Sequence, residues 1–193
     1  MVPSDFEDDL EEFARTRDRL RRLVDSADWP TTVAAAKAGV ISAQTLGFRA
    51  EKFAADAFGW QRVPTKLRRG DLVTPENEYI ELKNSAAIGG QVMVRQIRTS
   101  QRVNWLLVLV AAPDGDTEVF VLDRTDVEYE TRDMTAAHGV RETASELAMS
   151  FPIGGSIHRR WIDRYRVAKV RDLHDAHDEV NRAVRPQNKE HAA

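Results

Sequence analysis

Phe6, Leu10, Phe13, Leu20 and Val24 recur at three- and four-residue spacing behind Ser4 and Asp5, either of which can cap a helix. The pattern predicts an amphipathic helix running to about Asp25, with Arg17 interrupting its apolar stripe. Trp29-Pro30-Thr31-Thr32 reads as a break, Val33 to Lys37 as a short alanine-rich helix and Gly39 as a turn. Ala50, Phe53, Ala54 and Ala57 then mark one face of a helix from Gly47 to Phe58, with Gly59 as its C-cap. Beyond it the period falls to two. Leu72-Val73 and the run Tyr79 to Lys83 read as strands joined by the turn residues Pro75, Glu76 and Asn77, a hairpin between Lys66 and Ser85. Gly90 to Arg102 reads as a helix that packs Val94 and Ile97 inward and aligns Gln91, Arg95, Arg98 and Arg102 along one outward stripe. Trp105 to Ala111 is an unbroken apolar run, as in a central strand covered on both faces. Asp114-Gly115-Asp116 turns the chain into another strand, Glu118 to Leu122. Thereafter the signal weakens: Thr143 to Met149 reads as a short helix, Pro152 to Ser156 as a loop, Arg164 to Val170 as a strand or helix start, and the residues from Pro186 as a disordered tail.

The hairpin carries the chemistry. Side chains alternate along a strand, so Tyr79, Glu81 and Lys83 share one face and Ile80 and Leu82 the other. With the turn centred on Glu76, residues equidistant from it face one another, which sets Asp71 opposite Glu81. Two carboxylates so placed repel. A positive group between them is required, which Lys83 supplies in part, and such a pair suits a hard, oxygen-seeking cation such as Mg²⁺. A slip of one residue would turn Asp71 to the other face.

Asp71, nine intervening residues and Glu81-Leu82-Lys83 resemble the motif of the PD-(D/E)xK nuclease superfamily, with Gly70 standing where the name-giving proline would be. The order of elements resembles that family too: a helix containing a glutamate, the hairpin, a helix, then a buried strand and a further strand. The resemblance implies an α/β fold, a restriction endonuclease-like mixed β-sheet flanked by helices, here with N- and C-terminal helical additions. It also implies Mg²⁺, or Mn²⁺ in its place, held by Asp71, Glu81 and the main-chain carbonyl of Leu82, with Glu51 as an additional or second-metal ligand. Lys83 would act on the attacking water. Asp71, Glu81 and Lys83 are then the catalytic residues, and Arg68, Arg69, Gln91, Arg95, Arg98 and Arg102 the candidate nucleic-acid contacts. The family's Gln-x-x-x-Tyr motif has no counterpart in this segment, which lacks tyrosine.

Composition narrows the rest. The chain of 193 residues, 42% hydrophobic, has room for one main domain: a helical segment over 1–40, a nuclease core over 41–172, and a C-terminal helix with its tail over 173–193. No apolar run approaches a membrane span and no basic-then-apolar leader opens the chain, so the expected location is cytoplasmic. The absence of cysteine excludes disulfides and thiolate chemistry. Net charge is −3, but residues 60–110 carry eight basic against four acidic side chains and residues 154–171 six against one, a segregation that suits a face turned to a phosphate backbone. His174 and His177, flanked by Asp172, Asp175 and Asp178, read as an exposed charged helix rather than a metal site, and Trp161 as a core or interface anchor. The expected function is a metal-dependent endodeoxyribonuclease, restriction-type or associated with a mobile element or defence, acting on double-stranded DNA. The alternatives are a structure-specific junction or repair nuclease and a non-catalytic DNA-binding or assembly protein on the same fold; RNA as substrate is also open. The terminal stripes, Phe6 to Val24 and Val170-Leu173-Val180-Val184, offer either a homodimer surface or packing within one chain.

Overall fold

The computed structural model describes residues 4–64, 69–86, 90–98, 100–137, 146–153 and 157–185. Three helices open the chain: α1 (Ser4–Val24), α2 (Trp29–Lys37) and α3 (Ala43–Phe58). Both later helices start earlier than their apolar spacing suggested, because side-chain caps set their N-termini. Asp28 accepts the Thr31 N–H at 2.9 Å, and Pro30 lies in the first turn, where a missing N–H costs nothing. Ser42 accepts the Thr45 N–H at 3.1 Å, which leaves Gly47 inside α3. Gly59, at φ 71°, closes α3 in the left-handed conformation.

Strands β1 (Gln61–Arg62), β2 (Leu72–Val73) and β3 (Tyr79–Ser85) follow, then β4 (Gln91–Arg98), β5 (Trp105–Ala111) and β6 (Thr117–Asp123). After α4 (Arg124–Ala137) come β7 (Glu146–Pro152), a 3₁₀ turn leading into α5 (Arg160–Asp163), β8 (Arg166–Val170), a second 3₁₀ turn and α6 (His177–Ala183). The main sheet has six strands in the order β1-β2-β3-β5-β6-β8, and its β3–β5 pair is parallel while the others are antiparallel. The chain is therefore α/β with a mixed central sheet flanked by helices, as expected.

Every residue of β5 is buried, and its alternation divides the core in two. Leu107, Leu109 and Ala111 pack with Ala50, Ala54 and Phe58 of α3 and Val180 and Val184 at the C-terminus. Leu106, Val108 and Val110 pack on the opposite face against Val92, Val94 and Ile97 of β4 and Met149 and Phe151 of β7. Helices thus cover one face and a two-stranded ribbon, β4 with β7, covers the other.

That ribbon corrects two expectations. Gln91 to Arg98 is a strand, not the start of a helix: Val92 and Val94 alternate inward, β-branched residues favour the pleated surface, and a bulge at Arg95 and Gln96 restores Ile97 to the buried side. Gln96 takes φ 57° there. Glu146 to Met149, expected to be helical, belongs to β7 and pairs with β4, and the Ala148, Met149 and Phe151 side chains of β7 are buried. Arg164–Val170 resolves into a strand from Arg166. The readings of Arg68, of Gly154 to Ser156 and of the tail from Pro186 fall outside the described residues.

Candidate active site

The turn that carries the site is a three-residue loop. Asn77 donates its N–H to the Thr74 carbonyl at 3.0 Å and Thr74 donates to Glu78 at 3.0 Å, with Pro75 preset for the first turn position and Asn77 at φ 63°. Its centre is Glu76, so Leu72 pairs with Ile80 and Val73 with Tyr79, the register expected. Regular pairing ends at Leu72. Gly70 stands at φ 85°, and Asp71 turns its N–H to the Ile80 carbonyl at 2.8 Å while its carboxylate accepts the Leu82 N–H at 2.8 Å. Asp71 thereby caps the edge of β3 that β2 leaves open. A strand residue projects its N–H and C=O from the same edge, so the Leu82 carbonyl lies on the Asp71 side.

Glu81 is only 2% exposed and faces the ribbon side of the sheet, beside Leu106 of β5. Lys83, two residues on, donates to it at 2.9 Å. The Gln101 amide, with its NH₂ turned toward Glu81, donates to both carboxylate oxygens at 3.2 Å. Burial raises the Glu81 pKa above the ordinary range in spite of the Lys83 charge, and the Asp71 charge adds to the rise. Burial likewise raises Asp71, against the Leu82 N–H and the charges of Lys83, Arg98 and Arg62. A half-buried and a buried acid thus lie within reach of one another's charge, and the nearby cations do not fully compensate them, the condition in which a divalent ion stabilises the anionic forms.

Glu51 reaches this neighbourhood from α3, close enough to feel the charges of Asp71 and Lys83, but its carboxylate is bound by Arg62 at 2.8 Å. Burial raises its pKa as well. Among the described residues no group of three or more His, Asp or Glu gathers as a metal cage. The donor set on hand is two carboxylates and a main-chain carbonyl, which fits a hard ion that keeps several of its waters, such as Mg²⁺, rather than an ion that demands a closed protein cage.

The arginines divide. Arg98 and Arg95 project from the exposed face of β4 with Gln91, an arrangement produced by strand alternation and the bulge rather than by helical spacing. Arg102 has left the element altogether: with Arg69, Asn77, Tyr79 and Asn104 it lines a cleft of about 360 Å³ at the turn end of the hairpin. Arg69 lies over the Tyr79 ring, 5.5 Å from its centroid. Gln101, Arg62 and Arg124 were not assigned roles from sequence. Arg124 begins α4, acts on Glu81 by charge and donates to the Arg98 carbonyl at 3.4 Å. All three are brought in by tertiary packing, which local spacing does not encode.

Four of the six basic side chains in the segment near the C-terminus are paired with acids. Arg159 is 2% exposed and donates to Glu118 at 2.5 Å and Asp163 at 2.8 Å; Arg166 also binds Glu118, Arg164 binds Glu130, and Lys169 binds Asp114. Trp161 packs edge-on against Phe151, a core role. His174 and His177 are exposed and bonded to Asp172 and Asp178, each at 2.9 Å. No described helix is long and apolar enough to cross a membrane. No protein-family model, curated protein or solved structure matches the chain.

Proposed function

We propose that this protein is a Mg²⁺-dependent nuclease of the restriction endonuclease-like fold that hydrolyses phosphodiester bonds in double-stranded DNA within the cell. The observation that carries the reading is the meeting of half-buried Asp71 and buried Glu81 with Lys83 at the open edge of β3. Burial works against the charge of both acids. Function is the ordinary reason for a fold to keep such groups together.

Asp71, Glu81 and the Leu82 carbonyl would hold the ion. When bound, it lowers the pKa of coordinated water and neutralises charge that builds on the phosphate. Lys83 orients the attacking water and stabilises developing negative charge from the same strand face. Gln101 fixes the Glu81 carboxylate, and Asp71 is fixed by the Leu82 N–H. Arg98, Arg95 and Gln91 on the ribbon, and Arg69 and Arg102 in the loops that line the cleft, would hold flanking phosphates. The test is separation of function: Lys83→Ala abolishes Mg²⁺-dependent cleavage while DNA affinity in a gel-shift titration stays within about threefold of wild type, a change under roughly 0.7 kcal/mol. An active Lys83→Ala protein removes the lysine from the mechanism.

A further inference from the structure

Helix α1 leaves its apolar stripe uncovered. Phe6, Leu10, Phe13 and Leu20 are between 40% and 64% exposed, although they lie on one helical face. Their spacing alternates four and three residues and continues through Arg17 to Val24, which is a heptad register with Leu10, Arg17 and Val24 at a and Phe6, Phe13 and Leu20 at d. Val24 is already buried by the chain's own core, so the open seam is Phe6, Leu10, Phe13, Arg17 and Leu20.

The charges beside the seam are sorted. Glu7, Asp8, Asp9, Glu11 and Glu12 occupy the first half with no basic residue among them, and Arg15, Arg17, Arg19, Arg21 and Arg22 occupy the second with Asp18 the one acid. The helix dipole favours this polarity only within the first and last turns, whereas the segregation runs the length of the helix. A helix whose two halves carry opposite charge is complementary to itself when reversed.

We propose that α1 is a homodimerisation helix that pairs antiparallel with α1 of a second copy of this chain. Reversal about Arg15 aligns the two open a positions with d positions: Leu10 meets the partner subunit's Leu20, and Arg17 meets the partner subunit's Phe13. The acidic half of each helix then lies along the basic half of the other, with Glu7 flanking the partner subunit's Arg21. Arg17 is the position that selects this arrangement. Its Nε is sheltered from solvent and makes no hydrogen bond, lying 3.8 Å from the Asp18 carboxylate. Against the face of the partner's Phe13 the guanidinium gains a cation–π contact. A parallel pair would instead stack Arg17 on the partner's Arg17 and acid on acid, which disfavours it.

The chain has no cysteine, so introduced thiols report on register directly. Sedimentation velocity of the full-length protein should show a dimer, and Phe13→Asp, at a position exposed in the protomer, should weaken it at least about tenfold while the thermal transition of the core, followed by tryptophan fluorescence, stays in place. Under mild oxidation, Leu10→Cys protein mixed with Leu20→Cys protein should give a covalent heterodimer, and neither alone should cross-link efficiently. A monomer at all concentrations, a dimer indifferent to Phe13→Asp, or efficient self-cross-linking of Leu10→Cys would each overturn the proposal. The readout is assembly and does not depend on nuclease activity.

Discussion

Gly70 and Ile80 approach so closely that a Cβ on Gly70 would stand 2.6 Å from the Ile80 carbonyl oxygen and 2.9 Å from a methyl of Val103. Both contacts are below what side-chain atoms tolerate, and the first is to backbone that cannot move aside. At φ 85° the position also excludes proline, whose ring fixes φ near −65°. Glycine at this position thus has a local cause: the chain crosses the end of β3 here to aim Asp71 at the Leu82 N–H. Gly70→Ala is expected to destabilise the fold by about 1–3 kcal/mol and to reduce cleavage more than that loss explains, because the Asp71 carboxylate is displaced. Urea unfolding and cleavage assays on folded protein measure the two effects separately. Full activity in Gly70→Ala would contradict this account of Asp71.

The acids at the site give stability a definite dependence on pH and metal. Asp71, Glu81 and Glu51 have folded-state pKa values raised by burial, so their contribution is present below the ordinary carboxylate range and is lost as pH rises through the raised values. At neutral pH the metal-free protein therefore carries standing destabilisation. Glu81→Gln should melt above wild type at pH 7.5 without metal, with the gap closing as pH falls into the ordinary carboxylate range. Divalent ion should reverse the order: at about 100 times its Kd a ligand adds about 2.7 kcal/mol, worth roughly 5–10 °C for a chain of this length, to wild type and not to Glu81→Gln. Differential scanning calorimetry with and without Mn²⁺ checks both, and equal shifts in the two proteins would place the ion elsewhere.

Much of this was legible in the sequence. The hairpin register followed from one turn, since Pro75 and Asn77 suit a three-residue loop centred on Glu76, and a slip of one residue would have turned Asp71 to the other face. β5 announced itself by seven consecutive apolar residues. What failed was β4, where the bulge at Gln96 adds a residue and leaves Val94 and Ile97 at i, i+3, the mark of a helix, although both belong to a strand. Local pattern cannot distinguish those cases without the partner strand. Charge misled in the C-terminal segment because the acid that neutralises Arg159 and Arg166 is Glu118, some forty residues away and buried at 5% exposure. Gln101 at Glu81 was hidden for the same reason: its partner is remote in sequence.

That buried ion pair makes its own prediction. Arg159→Leu strands the Glu118 carboxylate in the interior with Arg166 alone and should cost about 3 kcal/mol, read as a lower urea midpoint at unchanged slope. Adding Glu118→Leu should recover part of the loss, since apolar replacement of both partners removes the unpaired charge. A double variant less stable than Arg159→Leu would show that the pair stabilises by more than mutual neutralisation.

Asp71 and Glu81 as a metal-holding, catalytic pair is the central claim, and DNA cleavage tests it most directly. Linear, supercoiled and branched DNA should be incubated in Mg²⁺ with wild type and Glu81→Ala side by side. Cleavage by wild type that falls by at least about a hundredfold in Glu81→Ala, roughly 2.7 kcal/mol of barrier, with DNA binding intact, is the predicted result. Equal cleavage by both proteins, or salt-sensitive DNA binding by both with no cleavage of any substrate, would contradict it, the latter in favour of a binding protein built on the same fold.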